Sequence, residues 1–267
     1  MASMSKTVAW VNSVVGRVRQ VSAPWRRRGL DLLYPPLCVY CDGELVGSEG
    51  DLGLCVGCQR RLAPEPWAAC RHCAAPSEEG ATPSARCHLC RRARFRFDSV
   101  VALGVYRDHL ASAILRIKHP QGEPLAAALG RLLAARRLPE FQSLQADVVV
   151  PVPMHWWQRL IRKVNAPDIL AARVGGALGV KVPARLLRRV RISQPQKRLP
   201  PSQRYGNVAG AFAAAASGAL KGARVLLVDD VLTTGATCNA AARVLLRGGA
   251  SKVFVAVLGR GIGEGLS

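Results

Sequence analysis

The chain has 267 residues, 49% of them apolar, and carries 38 Lys and Arg against 17 Asp and Glu for a formal charge of +21. That apolar share is enough for a substantial core and excludes a disordered chain, while the charge favours polyanionic partners such as nucleic acid, phosphorylated small molecules or an anionic membrane face. No run approaches the roughly 18 uninterrupted apolar residues that span a bilayer, so no transmembrane segment is expected.

Residues 1–32 form a basic N-terminal extension. Lys6, Arg17, Arg19, Arg26, Arg27 and Arg28 occur in its first thirty positions without an acid. A plain extension and an organellar transit peptide share that composition. A secretory signal fits poorly, because Asn12 and Ser13 interrupt the apolar run from Val8 to Val15.

Residues 33–97 are Cys-rich. Eight of the nine cysteines form four Cys-x-x-Cys pairs: Cys38 and Cys41, Cys55 and Cys58, Cys70 and Cys73, Cys87 and Cys90. Thirteen residues separate the first pair from the second and the third from the fourth, which is an internal repeat. A single pair also reads as a redox dithiol, but four at a repeated interval favour metal. Two turns complete one tetrahedral four-thiolate zinc site with no open position, so two structural Zn2+ ions and a reducing, cytoplasmic compartment are expected. The repeat favours adjacent pairing and spacing alone leaves a crossed one open. His72 and His88, inside the third and fourth pairs, are not expected to be ligands.

From residue 98 to 267 the pattern alternates between strands and helices, which implies an α/β domain. Ser99 to Tyr106 and Asp147 to Val152 read as strands, and Leu110 to Ile117, Leu125 to Arg137 and Ala166 to Leu178 as helices. Arg185 to Arg204 holds seven basic residues, three prolines and no acid, the composition of a mobile loop or flap. Ala223 to Val228 and Lys252 to Leu258 flank a helix from Thr237 to Leu246 as a βαβ unit with two buried parallel strands. Gly259 to Gly265 follows the last strand without a helix, fails as a dinucleotide fingerprint and reads as a flexible tail.

The most informative stretch is Val225 to Thr237. A buried strand delivers Asp229 and Asp230 to its carboxyl end, where open α/β sheets bind ligands. Thr233, Thr234 and Thr237 then offer hydroxyls, Gly235 lets the backbone approach closely, and the amides at the helix start, from Ala236 on, point at an anion. The carboxylates suit hydroxyls and a divalent cation, so the combination selects a phosphorylated sugar. A Walker-type nucleotide site lacks its Gly-x-x-x-x-Gly-Lys sequence.

These thirteen residues resemble the phosphoribosyl-pyrophosphate signature of type I phosphoribosyltransferases, and the wider chain, roughly Leu33 to Leu258, resembles the ComF family. The Cys pairs, Leu115 to Lys118, Pro151 to Pro153, and Gln196 with Leu199, Arg204, Asn207 and Phe212 carry that likeness. It implies a type I phosphoribosyltransferase fold, a parallel sheet flanked by helices, behind a small double zinc-ribbon module. It implies that Asp229 and Asp230 hold the ribose hydroxyls, directly or through Mg2+, and that Thr233, Thr234, Gly235, Ala236 and Thr237 hold the 5-phosphate. It implies, too, a pyrophosphate-binding loop after the strand ending at Val150. There the family's Arg-Gly-Phe-Asn reads Arg162-Lys163-Val164-Asn165, which removes a permissive glycine and adds a cation.

Lys118 and Arg162 are candidate pyrophosphate contacts, with a solvated helix-end lysine the plainer reading of the first. Lys197, Arg198 and Arg204 are candidate flap residues. The resemblance implies a phosphoribosyltransferase, a pentosyl-class glycosyltransferase, linked to DNA uptake or utilisation and acting on phosphoribosyl pyrophosphate. A second reading is a non-catalytic accessory protein for single-stranded DNA that works with DNA-uptake proteins. Trp156 and Trp157 would stack on bases in that reading, and pack against the zinc module otherwise. Cys238, at the start of the helix, is either a thiol activated by the helix dipole or a packed residue.

Overall fold

The computed structural model describes residues 35–47, 49–64, 68–77, 86–91, 93–154, 165–191, 200, 203–215 and 218–262. The basic extension, Trp156, Trp157, Arg162 to Val164, and Gln196 to Leu199 lie outside them. The chain divides into two compact units, residues 1–55 and 56–267.

In the first unit the Cys38 N–H donates to the Gly43 carbonyl at 2.7 Å and the Asp42 N–H to the Cys38 carbonyl at 2.8 Å. An isolated bridge joins Leu37 to Glu44, and one helical turn, α1 (Glu49–Leu52), leads towards Cys55. The second unit opens with α2 (Val56–Leu62) and then repeats the Cys38 turn at Cys70. Cys70 N–H donates to Ala75 O at 2.8 Å, Ala74 N–H to Cys70 O at 2.7 Å, and Ala69 bridges Pro76. The equivalent residues Asp42 and Ala74 both take positive φ, 60° and 52°. The sequence repeat is therefore a repeat of backbone conformation.

The rest of the second unit runs β1 (Ser99–Val105), α3 (Asp108–Arg116), α4 (Glu123–Arg136), α5 (Leu138–Leu144), β2 (Val148–Pro151) and α6 (Ala166–Leu178). It continues with β3 (Leu187–Arg189), α7 (Arg204–Val208), β4 (Phe212–Ala214), β5 (Arg224–Leu232), α8 (Ala236–Arg247) and β6 (Lys252–Arg260). Four parallel strands lie in the order β1, β6, β5, β2. Val225 to Val228 and Val253 to Leu258 are apolar at every position and fully or almost fully buried, the mark of strands covered on both faces. Helices α4 and α6 cover one part of the sheet with Leu129, Leu132, Leu133 and Leu170, while α8 buries Ala241, Ala242 and Leu245 against β5 and β6.

Three sequence expectations change. β5 does not stop at Val228 but runs through both aspartates, because Val231 pairs with Gly259 and Leu232 with Arg260. For the same reason Gly259 and Arg260 are strand rather than tail, and a Cβ at Gly259 would sit 2.9 Å from Ile114 Cδ1 and 3.0 Å from Tyr106 Cδ2. Tight packing, and not looseness, requires that glycine. Within the stretch read as a flap, β3 pairs antiparallel with β4, and the Arg189 guanidinium lies 5.5 Å over the Phe212 ring.

Candidate functional site

The site starts from β5. Because its apolar half is locked between β6 and β2, its last residues emerge at the carboxyl edge of the sheet with Asp229 turned inward, only 9% exposed. Asp229 Oδ1 accepts from the Asp230 N–H at 2.9 Å, and Oδ2 faces the Cys238 thiol at 3.8 Å. Burial, then the neighbouring Asp230 charge, pushes the Asp229 carboxyl up to about 8. Asp230 is more open and pairs with Lys118, whose Nζ lies 3.0 Å from Oδ2. Burial would lower the Lys118 pKa, but the Asp230 carboxylate beside it outweighs burial and raises it. The structure thus places Lys118 on the aspartate pair rather than in solvent.

After β5 the chain turns through Thr233, Thr234 and Gly235 into α8. Gly235 has φ 77°, the left-handed region open to glycine, and precedes the first residue of the helix, Ala236. The Thr234 hydroxyl oxygen accepts from the Ala236 N–H at 3.4 Å. Arg204, at the start of α7, donates from Nη1 to the Thr233 hydroxyl at 3.3 Å, and the Tyr205 hydroxyl donates to the Thr234 carbonyl at 2.8 Å. Buried Arg260 donates to the carbonyls of Leu232 at 3.0 Å, Thr233 at 2.7 Å and Gly261. The carbonyls of Leu232, Thr233 and Thr234 are thus tied to Arg260 and Tyr205, and the first amide of the twelve-residue α8, that of Ala236, faces the Thr234 hydroxyl.

Sequence reasoning missed Arg260, Tyr205 and Asn239, the last of which donates its N–H to the Gly235 carbonyl at 2.8 Å. Arg260 had been assigned to a tail, and no local pattern marks the other two. Of the two readings of Cys238, the packed one holds: the side chain is buried, and burial, then the Asp229 charge, raise its pKa well above the ordinary value. Arg162 lies outside the described residues.

A cavity of about 320 Å³ opens at the carboxyl end of β2. Pro151, Pro153, Asn165 and Asp168 line one part, and Arg188 and Arg189 of β3 another.

Cys38, Cys41, Cys55 and Cys58 form one cluster, and Cys70, Cys73, Cys87 and Cys90 a second, each with its sulfurs within 4.8 Å of one another. The resolved S···S separations are 3.8 Å for Cys41 to Cys55, 3.7 Å for Cys70 to Cys90 and for Cys87 to Cys90, and 3.6 Å for Cys73 to Cys87. A tetrahedral ion with Zn–S bonds near ~2.3 Å has edges of about 3.8 Å, so both donor sets fit zinc. Burial raises the Cys38 and Cys70 pKa values, yet hydrogen bonding with the backbone of the facing knuckle, at Cys55 and Cys87, and then of their own knuckle holds each down to about 7. Burial and neighbouring thiols push Cys73 up to about 11 and Cys90 higher still, so four thiolates need a cation among them. His72 takes no part: its Nδ1 lies 3.2 Å from the Asp98 carbonyl.

Residues 168–264 match the phosphoribosyl transferase domain and residues 29–93 the double zinc ribbon domain. The chain therefore joins a phosphoribosyltransferase domain to two four-cysteine clusters of a double zinc ribbon. It belongs to the family of competence protein F and the DNA utilization protein YhgH. It is 30% identical over 227 residues to competence protein F of Haemophilus influenzae, spanning 84% of this chain and 96% of that protein. Against YhgH of Salmonella typhimurium the identity is 32% over 228 residues, with the same coverage. The structure of the allosteric regulatory enzyme of purine biosynthesis is 21% identical, with a TM-score of 0.38 over 55% of this chain and 30% of that one. Among the described residues no helix is long and apolar enough to cross a membrane.

Proposed function

We propose that the chain binds phosphoribosyl pyrophosphate with Mg2+ and transfers its phosphoribosyl group, in the service of DNA uptake or use. The observation that carries this reading is the juxtaposition of the Asp229 and Asp230 pair with the Gly235 turn into α8. Donors for a phosphate and acceptors for ribose hydroxyls stand at opposite ends of one short loop. In this reading Asp229 and Asp230 accept the ribose hydroxyls, while Thr233, Thr234, Thr237 and the amides opening α8 hold the 5-phosphate. Asp229 and Asp230 would hold Mg2+, which would supply charge neutralisation for a departing pyrophosphate. The C1–O bond breaks with its electron pair leaving on pyrophosphate, and a nitrogen acceptor captures the oxocarbenium-like sugar and gives up a proton. Arg204, already at Thr233, closes over the loop. The printed names of the relatives supply the link to DNA.

The test is calorimetric titration of the wild type and of Asp229→Asn with Asp230→Asn, together with pyrophosphate release against a panel of bases, nucleosides and oligonucleotides. The paired variant is expected to keep its fold and zinc and lose Mg2+-dependent binding. Wild-type affinity in that variant would sink the assignment.

The exposed Arg185 and Arg188 beside the cavity, with the net charge of +21, favour a second reading in which single-stranded DNA binds this face without turnover. Competition between phosphoribosyl pyrophosphate and an oligonucleotide, with no pyrophosphate released, would select it.

A further inference from the structure

The second cysteine cluster and the turn into α8 share their neighbours. Phe95 packs against the cluster of Cys70, Cys73, Cys87 and Cys90, and also against the core beneath the sheet. Its ring leans on the turn so closely that a Cβ built on Gly235 would lie 2.8 Å from Cε1 and 3.3 Å from Cζ. Phe97 stacks on it with centroids 4.5 Å apart, which fixes the ring plane. The adjoining Arg96 N–H donates to Asn239 Oδ1 at 2.6 Å, and the Asn239 N–H donates to the Gly235 carbonyl at 2.8 Å. A second path runs from Ile262, which packs on the same cluster, to Arg260 two residues earlier, whose guanidinium holds the carbonyls of Leu232 and Thr233. Chain on both sides of the cluster thus ends on the backbone of the 233–237 loop.

We propose that Phe95 is a positioning residue for this loop, and that through it metal occupancy of the second four-thiolate site and anion binding at the loop favour one another. The physical basis is packing. Gly235 in the left-handed region leaves the turn with little steric definition of its own, and the aromatic ring supplies the missing wall. The ring is held only as firmly as the knuckle beneath it, and an ion shared by the four sulfurs of Cys70, Cys73, Cys87 and Cys90 joins the two turns that carry them. Linkage then requires reciprocity: what tightens the loop tightens the metal site by the same factor. The anion half of this inference rests on the phosphate-loop reading, whereas the mechanical half does not.

Amide hydrogen exchange of the full chain tests both halves, on zinc-loaded wild type, Phe95→Ala, Phe95→Leu and Cys87→Ser. The amides of Gly235 to Thr237 are expected to exchange about tenfold faster in Phe95→Ala and Cys87→Ser. Phe95→Leu, which restores most of the wall, is expected to stay near wild type, and the β5 amides of Val225 to Val228 report whether the fold is intact. Ribose 5-phosphate is expected to slow zinc transfer to a chelator in the wild type and not in Phe95→Ala. Loop exchange that stays at the wild-type rate in both variants overturns the coupling. If Cys87→Ser unfolds, Phe95→Ala with both ions retained decides alone, a faster loop supporting the proposal and an unchanged one overturning it. A loop that responds to Phe95→Ala in a protein that ignores ribose 5-phosphate would leave the mechanical coupling standing and remove the phosphate reading instead.

Discussion

The Lys118 ammonium lies 3.0 Å from Oδ2 of Asp230, joining the turn after α3 to the carboxyl end of β5. Both side chains are partly covered, 32% and 20% exposed, so the pair is worth more than a surface bridge and less than a buried one. Lys118→Met is expected to cost about 1 kcal/mol in urea denaturation at neutral pH. It is also expected to raise the Asp229 pKa further, because the Lys118 charge acts to lower it. An unchanged carboxyl titration followed by NMR would show that the ammonium does not reach Asp229.

Asp229 gives the protein a pH dependence of definite sign. Its pKa rises from 3.8 to about 8, so across that window the folded chain holds a proton that the unfolded chain has released. The stability this contributes is full below about 4 and is lost as pH rises through about 8. Thermal unfolding of wild type and Asp229→Asn at several pH values checks this, with the wild type losing stability relative to the variant as pH rises. Mg2+-dependent ligand binding, which needs the ionised form, is expected to run the other way and tighten towards pH 8.

The Thr234 hydroxyl accepts from the Ala236 N–H, and in the proposed function it also donates to the 5-phosphate. Thr234→Val is expected to destabilise the protein by only about 0.5 kcal/mol, given the length of that bond. A lost charge-assisted hydrogen bond of about 1.5 to 3 kcal/mol predicts a roughly tenfold to hundredfold fall in phosphoribosyl-pyrophosphate affinity. Calorimetry beside a denaturation curve separates the effects, and equal affinity would take Thr234 out of the ligand shell.

Metal analysis of the purified chain is expected to return two zinc ions. Cys55→Ser is expected to release only the ion shared with Cys38, Cys41 and Cys58, leaving the one held by Cys70, Cys73, Cys87 and Cys90. A content of one ion or none in the wild type would refute the double four-thiolate reading.

Much of this architecture is legible in residue order because its signals are local. The thirteen-residue interval between Cys pairs announces two like sites, and equal hydrogen bonds at Cys38 and Cys70 follow from equal spacing. The periodicity from Ala166 to Leu178 locates α6 at its observed bounds, and Val225 to Gly235 reads as strand and turn because apolar run, carboxylates, threonines and glycine succeed one another without interruption. A strand end and a helix start are short-range events, set by sterics and by which backbone groups lack partners.

What residue order left undecided depends on neighbours distant in the chain. Asp229 looks like an exposed strand end, but α8 folds Cys238 back over it and Asp230 shares its edge, so a carboxylate by composition becomes a carboxyl with a pKa near 8. Gly259 and Arg260 look like a tail until Val231 and Leu232 extend the ladder beside them, after which the guanidinium becomes the anchor of the loop. Phe95 resembles any aromatic beyond the last Cys pair, and only the fold brings it between a cysteine cluster and Gly235. The sequence by itself determined which chemical groups this protein carries and at what spacing. The tertiary structure decided which of them lose water and which touch, because burial and contact are set by pairings across the whole chain and not by the order of residues along it.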